Sequence, residues 1–235
     1  MNVLARTTTS FARSSIGKKI IVALTGIPLL LFLPGHLAGN LLVFVGPDAI
    51  NEYGLWLHNL GHGAAVWVAR AGLLAVFAIH VIVTIQLTRQ NKAARPAYAH
   101  PGTIQASRSS RIMIWSGLTI LAFVIYHILH FTARVGNDFG GAAYKTTVHG
   151  EPAHDVYKMM IDGFSWAPAS IFYMIALTLL CSHLSHGFAS VFQTLGLRSA
   201  KTEGLIKFLG WAYALVIWLG FLSIPVAIWI FGYGR

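Results

Sequence analysis

Charge is scarce in this sequence, and cysteine is almost absent. Lys and Arg number 17 and Asp and Glu 7 among 235 residues, so charged side chains make up 10% of the chain, where soluble proteins usually carry about a quarter. So few charges cannot coat a water-soluble globule of this size. With 56% of the residues hydrophobic, the apolar surface has to face lipid. The one cysteine, Cys181, excludes an internal disulfide and any cysteine-held metal cluster, and its place in an apolar run marks it as a packing residue. Acids are the rarer sign, which leaves a net charge of +10. In a soluble chain that would point to nucleic acid. Here the bases are scattered between apolar stretches, where they set membrane topology, and no nucleic acid partner is expected.

Five apolar stretches, roughly 20–45, 64–88, 112–133, 165–190 and 206–231, are long enough to cross a bilayer of about 30 Å as helices. They predict an all-α fold, one integral membrane bundle of five transmembrane helices over residues 1–235. The first stretch follows a polar, basic leader (Arg6, Arg13, Lys18, Lys19) and is too long for a signal-peptide core, so the N-terminus is expected to remain in the mature chain. Twelve of the 17 basic residues fall before the first span, between the second and third, or between the fourth and fifth. Six of the seven acids lie on the other side: Asp48, Glu52, Asp138, Glu151, Asp155 and Asp162. The positive-inside rule then puts the N-terminus in the cytoplasm and the C-terminus outside. Trp67, Trp115, Trp166, Trp229 and Tyr233 near span ends fit interfacial belts. Residues 48–62 place Ile50, Tyr53, Leu57 and Leu60 at helical spacing, with the polar Asn51, Glu52, His58 and Asn59 elsewhere, which predicts a short amphipathic helix on the outer interface. The polar, glycine-bearing stretch 134–164 reads as a water-exposed outer loop.

Of the 11 histidines, six fall inside predicted spans: His36, His80, His127, His130, His183 and His186. Ionisable groups at that depth are costly and usually functional, although any one of them is equally explained by a hydrogen bond to a neighbouring helix. Their arrangement carries more. Thr25-Gly26 precedes His36 with nine residues between glycine and histidine, and Ser116-Gly117 precedes His127 with the same interval. Both spans run outward, so His36 and His127 fall at nearly equal depth in the outer half. His80 and His183, on spans running the other way, form a second pair roughly 12 Å deeper. Zinc wants four protein ligands, whereas a haem brings four nitrogens and needs two; one histidine on each of two helices suits haem. Gly26, Gly35, Gly39 and Gly117 would let a flat macrocycle approach the backbone, or simply pack helices. His130 and His186 follow a pair member by three residues and lie on nearly the same face. The glycine repeat favours His127 over His130, while depth leaves His183 and His186 open; the second of each pair is otherwise a hydrogen-bonding neighbour. His100, His149 and His154 sit in loops, where solvent-facing histidines are usual.

These residues resemble a known family, the five-helix, two-haem cytochrome b membrane anchor of succinate dehydrogenases and fumarate reductases. The resemblance spans nearly the whole chain. It is carried by Ser14 to Lys19 (SSIGKK) leading to Thr25-Gly26, by Gly35-His36-Leu37-Ala38-Gly39-Asn40, by His80, by Ser116-Gly117 with Tyr126-His127, and by His183 to Phe188. It implies an outer haem b on His36 and His127 and an inner haem b on His80 and His183. His130 and His186 are then neighbours, since the first histidine of the fourth-span motif is the ligand in the family. The fifth span carries no histidine, as in the family. The partners implied are an iron-sulfur subunit docked on the cytoplasmic side, a flavoprotein beyond it that interconverts succinate and fumarate, the lipid bilayer of the cytoplasmic membrane, and a membrane quinone, menaquinone or ubiquinone, as substrate. The chain itself has no nucleotide-binding glycine motif and no cysteine framework, so no dicarboxylate chemistry is expected in it.

Quinone chemistry exchanges protons, so a titratable group is expected at the membrane edge. Glu52 and His58 are the candidates outside; Arg111, Lys18 and Ser15 are those inside. Two rivals remain: the haem-bearing quinol-oxidising anchor of another respiratory complex, which places its ligands on fewer helices, and a haem-free anchor or transporter, against which the spans hold almost no Asp or Glu.

Overall fold

The computed structural model describes residue 11, residues 13–93 and residues 108–235, with side chains in the last stretch from Met113 onward. Arg6, Arg95 and His100 lie outside the described residues, as does the side chain of Arg111.

Helix α1, Ser15–Leu41, starts five residues before the expected span because Ser14 caps it, its hydroxyl accepting from the Gly17 amide at 3.0 Å. Pro28 and Pro34 lie inside it, and each removes one backbone donor from the ladder. A single 3₁₀ turn, Leu42–Phe44, ends this span. Gly46 then turns the chain at φ 131°, where a side chain would be strained, and Pro47 opens α2, Pro47–Asn59. Helix α3, Ala64–Ala93, and helix α4, Arg108–His127, follow. The latter runs on as a π turn, Ile128–Thr132. Strands β1, Lys145–Val148, and β2, Glu151–His154, pair antiparallel around His149-Gly150. Both turn residues have positive φ, 51° and 81°, the geometry that a tight two-residue hairpin requires. Helix α5, Val156–Ser165, is capped by Asp155, whose carboxylate accepts from the Lys158 amide at 2.9 Å. Helices α6, Ala167–Thr194, and α7, Glu203–Pro225 with a π turn Val226–Ile230, complete the chain.

Five helices, α1, α3, α4, α6 and α7, are long and apolar enough to cross a membrane, as expected from the runs of apolar residues. Their outward faces carry Leu31, Trp115, Phe208 and Val216, all widely exposed, the surface lipid would cover. Trp67 and Trp166 are exposed likewise, whereas Tyr233 is a pin: its hydroxyl donates to the Val43 carbonyl at 3.1 Å.

Two expectations need correction. The all-α reading omits the hairpin, whose eight residues carry little periodic signal. The stretch 134–164 is not a water-exposed loop: Met159, Met160, Ile161 and Phe164 of α5 are buried, and the last three join Val43, Ile50, Tyr173, Ile224 and Ile228 in one core cluster. This cap sits across one end of the bundle. The expected outer helix is present, but Asn51, assigned to its polar side, is buried: its amide donates to Asp155 at 3.1 Å and its oxygen accepts from the Tyr157 amide at 3.0 Å. A second cluster, Leu37, Leu184, Ala214 and Ile217, binds α1, α6 and α7 together, with half-buried Cys181 packed against it. The Tyr213 hydroxyl adds a bond from α7 to the Leu30 carbonyl of α1 at 2.5 Å.

Candidate functional site

Of the two histidine pairs expected from sequence spacing, His36 and His127 are brought into ring contact. The rings of His36, on α1, and His127, at the end of α4, face each other with centroids 5.8 Å apart and planes at 80°. Phe32 stacks on His36 at 5.0 Å, and Phe221 and Phe123 close the sides. Two metal–nitrogen bonds of about 2 Å plus the radii of two imidazole rings also come to about 6 Å. The spacing is therefore one at which these two imidazoles could both hold a single metal centre.

The inner pair is held differently. His80, on α3, has Nδ1 3.1 Å from the Thr25 hydroxyl of α1, and His183, on α6, has Nδ1 3.2 Å from the Ser116 hydroxyl of α4. Gly26 lies beside the His80 ring and Gly117 beside the His183 ring, each so placed that an added Cβ would come to 3.6 Å from Cε1. The repeated hydroxyl-glycine pairs on α1 and α4 thus perform one job twice: the hydroxyl anchors an imidazole and the glycine leaves room beside it. Of the glycines expected either to admit a macrocycle or to pack helices, Gly39 packs against the Tyr53 ring, which occupies the space beside it.

All four histidines engage a side chain through Nδ1, and none of the four Nε2 atoms takes a hydrogen bond among the described residues. Both inner hydroxyls also have a carbonyl of their own helix within reach, Thr25 the Ile21 carbonyl at 2.7 Å and Ser116 the Met113 carbonyl at 3.1 Å. When the hydroxyl proton goes to the carbonyl, the oxygen accepts from Nδ1–H and Nε2 keeps the lone pair a metal needs. In the outer pair His127 Nδ1 lies 3.2 Å from the Tyr173 hydroxyl. Asn40 is the exception. Its amide nitrogen donates to the His36 carbonyl at 2.6 Å and lies 3.3 Å from Nδ1, so metal ligation through His36 Nε2 would require this amide to turn.

His130 and His186 are set apart from the pairs. His130 is buried in the π turn, stacked on Tyr126 and tilted against Phe131 with centroids 5.1 and 4.1 Å away, and its Nδ1 lies 3.4 Å from the Tyr173 hydroxyl. The ring of His186 has no hydrogen bond among the described residues, and its carbonyl accepts from Ser190 at 2.9 Å. Among the described residues no group of three or more His, Cys, Asp and Glu side chains stands together as a ligand set. The ring pair His36 and His127 could serve a centre that needs two protein ligands, as a haem does, whereas zinc needs four.

The quinone candidates stand elsewhere. Glu52 is exposed on α2 and accepts from His149 at 3.2 Å, both side chains mostly in solvent. His58 is exposed near the end of the same helix, and neither residue touches the histidine pairs. On the inner side, Lys18 donates to Gln90 at 3.1 Å and so ties α1 to α3, and Ser15 begins α1. In the cap, His154 is half-buried against the Met159 sulfur at 3.2 Å, not solvent-facing. Burial, and then the Arg134 charge, pull its pKa below the usual value. Asp162 holds Lys158 at 2.6 Å and pushes the pKa of that ammonium up.

Sequence reasoning missed two contributions. Tyr173 lies ten residues before His183 on α6 with no spacing that links it to His127, so nothing in the sequence signals it. The hydroxyls of Thr25 and Ser116 were visible beside their glycines, but their targets on other helices were not. No protein-family model, curated protein or solved structure matches this chain.

Proposed function

We propose that this chain is a di-haem cytochrome b membrane anchor of a succinate:quinone oxidoreductase, a succinate dehydrogenase or fumarate reductase, lying in the cytoplasmic membrane with its N-terminus inside. The observation that carries the proposal is the set of four imidazoles, one on each of four membrane-length helices, every one engaged through Nδ1, with His36 and His127 face to face at 5.8 Å. His36 and His127 are the residues to hold the outer haem, and His80 and His183 those to hold the inner one. Bound haem supplies reversible one-electron chemistry that no side chain here offers. The chain contributes the rest: Thr25 and Ser116 keep the inner imidazoles in the ligating tautomer, and the apolar walls keep water from them. The Nδ1 contact from Ser116 supports His183 over His186 as the inner ligand.

In this reading an iron-sulfur subunit, with a flavoprotein beyond it, docks against the basic inner loops, and the exchange partner in the bilayer is a quinone. Glu52 and His58 outside and Arg111 inside are the groups proposed to trade protons with it, and Glu52→Gln should slow quinone-linked turnover. The primary test is a reduced-minus-oxidised visible spectrum of the detergent-purified chain, with haem quantified per polypeptide. Two b-type haems are expected, falling to one in His36→Ala and to one in His80→Ala; a colourless protein made with ample haem and its partner subunits would sink the proposal.

A further inference from the structure

The Tyr173 hydroxyl stands between two imidazoles, 3.2 Å from His127 Nδ1 and 3.4 Å from His130 Nδ1. It carries one proton. Both histidines lie within an apolar span, where the neutral form is the one compatible with burial, so each ring has one N–H and one lone pair. A single phenol proton satisfies both contacts in only one way: Tyr173 donates to one Nδ1 and accepts from the other. The two rings must therefore be opposite tautomers.

Two observations choose between the alternatives. His127 faces His36 at 5.8 Å, whereas His130 is 8% exposed and walled by the rings of Tyr126, Phe131 and Phe139. We propose, resting on the di-haem reading above, that Tyr173 is the positioning residue of the outer pair: it accepts from His127 Nδ1–H, which frees the Nε2 lone pair of His127, and it donates to His130 Nδ1, which leaves His130 protonated at Nε2 and unable to ligate. The hydroxyl is thus the device that makes one of two histidines three residues apart the ligand. It corresponds to Thr25 and Ser116 at the inner pair, with one difference. Those hydroxyls send their protons to carbonyls of their own helices, while Tyr173 sends its proton to a second side chain and links α6 to α4 twice. Tyr173 is 4% exposed and packs edge-on against Phe123 and Phe164, with ring centroids 5.0 Å away in each case. Its oxygen cannot swing away without breaking that packing.

Tyr173→Phe keeps the ring and removes only the hydroxyl. An acceptor on Nδ1–H raises the basicity of a ligating imidazole and favours the ferric state. Losing it should move one haem couple to higher potential, changing its ferric-to-ferrous ratio at fixed potential by about tenfold, or 59 mV for one electron. The experiment is a spectroelectrochemical titration of the full chain purified with its partner subunits, in which the outer couple is the one that His36→Ala abolishes. The expected result is two haems retained in Tyr173→Phe, the outer couple raised and the inner couple fixed. His130→Phe should likewise keep two haems while His127→Ala keeps one. The inference is overturned if Tyr173→Phe moves neither couple or both alike, or if the haem is lost with His130 and not with His127. A wild-type protein without two haems would instead defeat the di-haem reading itself, a result visible before any variant is made.

Discussion

Helices α3 and α7 are both long, apolar spans, of 30 and 28 residues, yet they are attached to the bundle by opposite means. α7, with its π turn, buries Ile206, places Ala214, Ile217, Ile224 and Ile228 in the two core clusters and approaches α1 so closely that a side chain at Gly220 would meet Leu37. α3 buries none of its residues. Its side-chain hydrogen bonds to α1 join His80 to Thr25 and Gln90 to Lys18. The helix without histidine is anchored by buried apolar side chains, whereas α3 lies against α1 with no residue fully buried. Equal hydropathy therefore conceals two roles, because lipid and a protein core reward apolar side chains alike.

That contrast can be broken by mutation, with the largest effect expected at the site. His80→Ala on α3 should remove one of two haems, while Tyr213→Phe on α7, which also deletes a hydrogen bond between helices, should leave both; haem counted per polypeptide decides it. Packing comes next. Ile217→Ala, at a position 2% exposed on α7, should cost about 2–5 kcal/mol through the cavity it leaves. Ile79→Ala, at a position 46% exposed on α3, should stay within about 0.5 kcal/mol; thermal unfolding in detergent compares the two, and equal losses would abolish the distinction. A smaller effect belongs to the tie itself. Thr25→Val removes the oxygen that holds His80 at nearly constant volume and should cost about 1 kcal/mol, with the inner haem couple shifted and the outer one unmoved in a redox titration.

The smallest effect lies in the cap that packs over the end of α7. His154 is kept neutral by burial and by Arg134, its folded-state pKa below the usual 6.5. The unfolded chain takes up a proton near that value and the folded chain only at lower pH, so below it the unfolded state binds more protons and acid favours opening. The stability present above pH 6.5 should be lost as pH falls below it. Hydrogen exchange of the hairpin amides, corrected for intrinsic rates, should show faster opening at about pH 5 than at about pH 7 in the wild type and little pH dependence in His154→Gln. Faster opening at the higher pH would reverse the sign and refute the assignment.

The spans were legible because length and hydropathy are additive along the chain: the expected boundaries differ from those of α1, α3, α4, α6 and α7 by a few residues, as at the start of α1, where the Ser14 cap carries the helix past Lys18 and Lys19. The facing of His36 and His127 was legible too, because equal spacing from Thr25-Gly26 and Ser116-Gly117 on two helices running the same way fixes equal depth. The cap was not. Met160, Ile161 and Phe164 read as part of a polar stretch because their burial depends on Ile50 and Val43, more than a hundred residues earlier. Nor was Asn51, whose polarity signals solvent until Asp155 and Tyr157 are seen beside it.

By itself, then, the sequence determined that this is a chain of five membrane-length helices carrying histidines at matched depths, since periodicity, charge bias and the rise per residue act locally and need no partner. Only the tertiary structure decided which histidine meets which side chain. Tyr173 joins His127 to His130, and Thr25 and Ser116 reach across to His80 and His183, through contacts between residues 43 to 67 positions apart. The lone proton of a hydroxyl has a direction, and that direction exists only once the helices are packed.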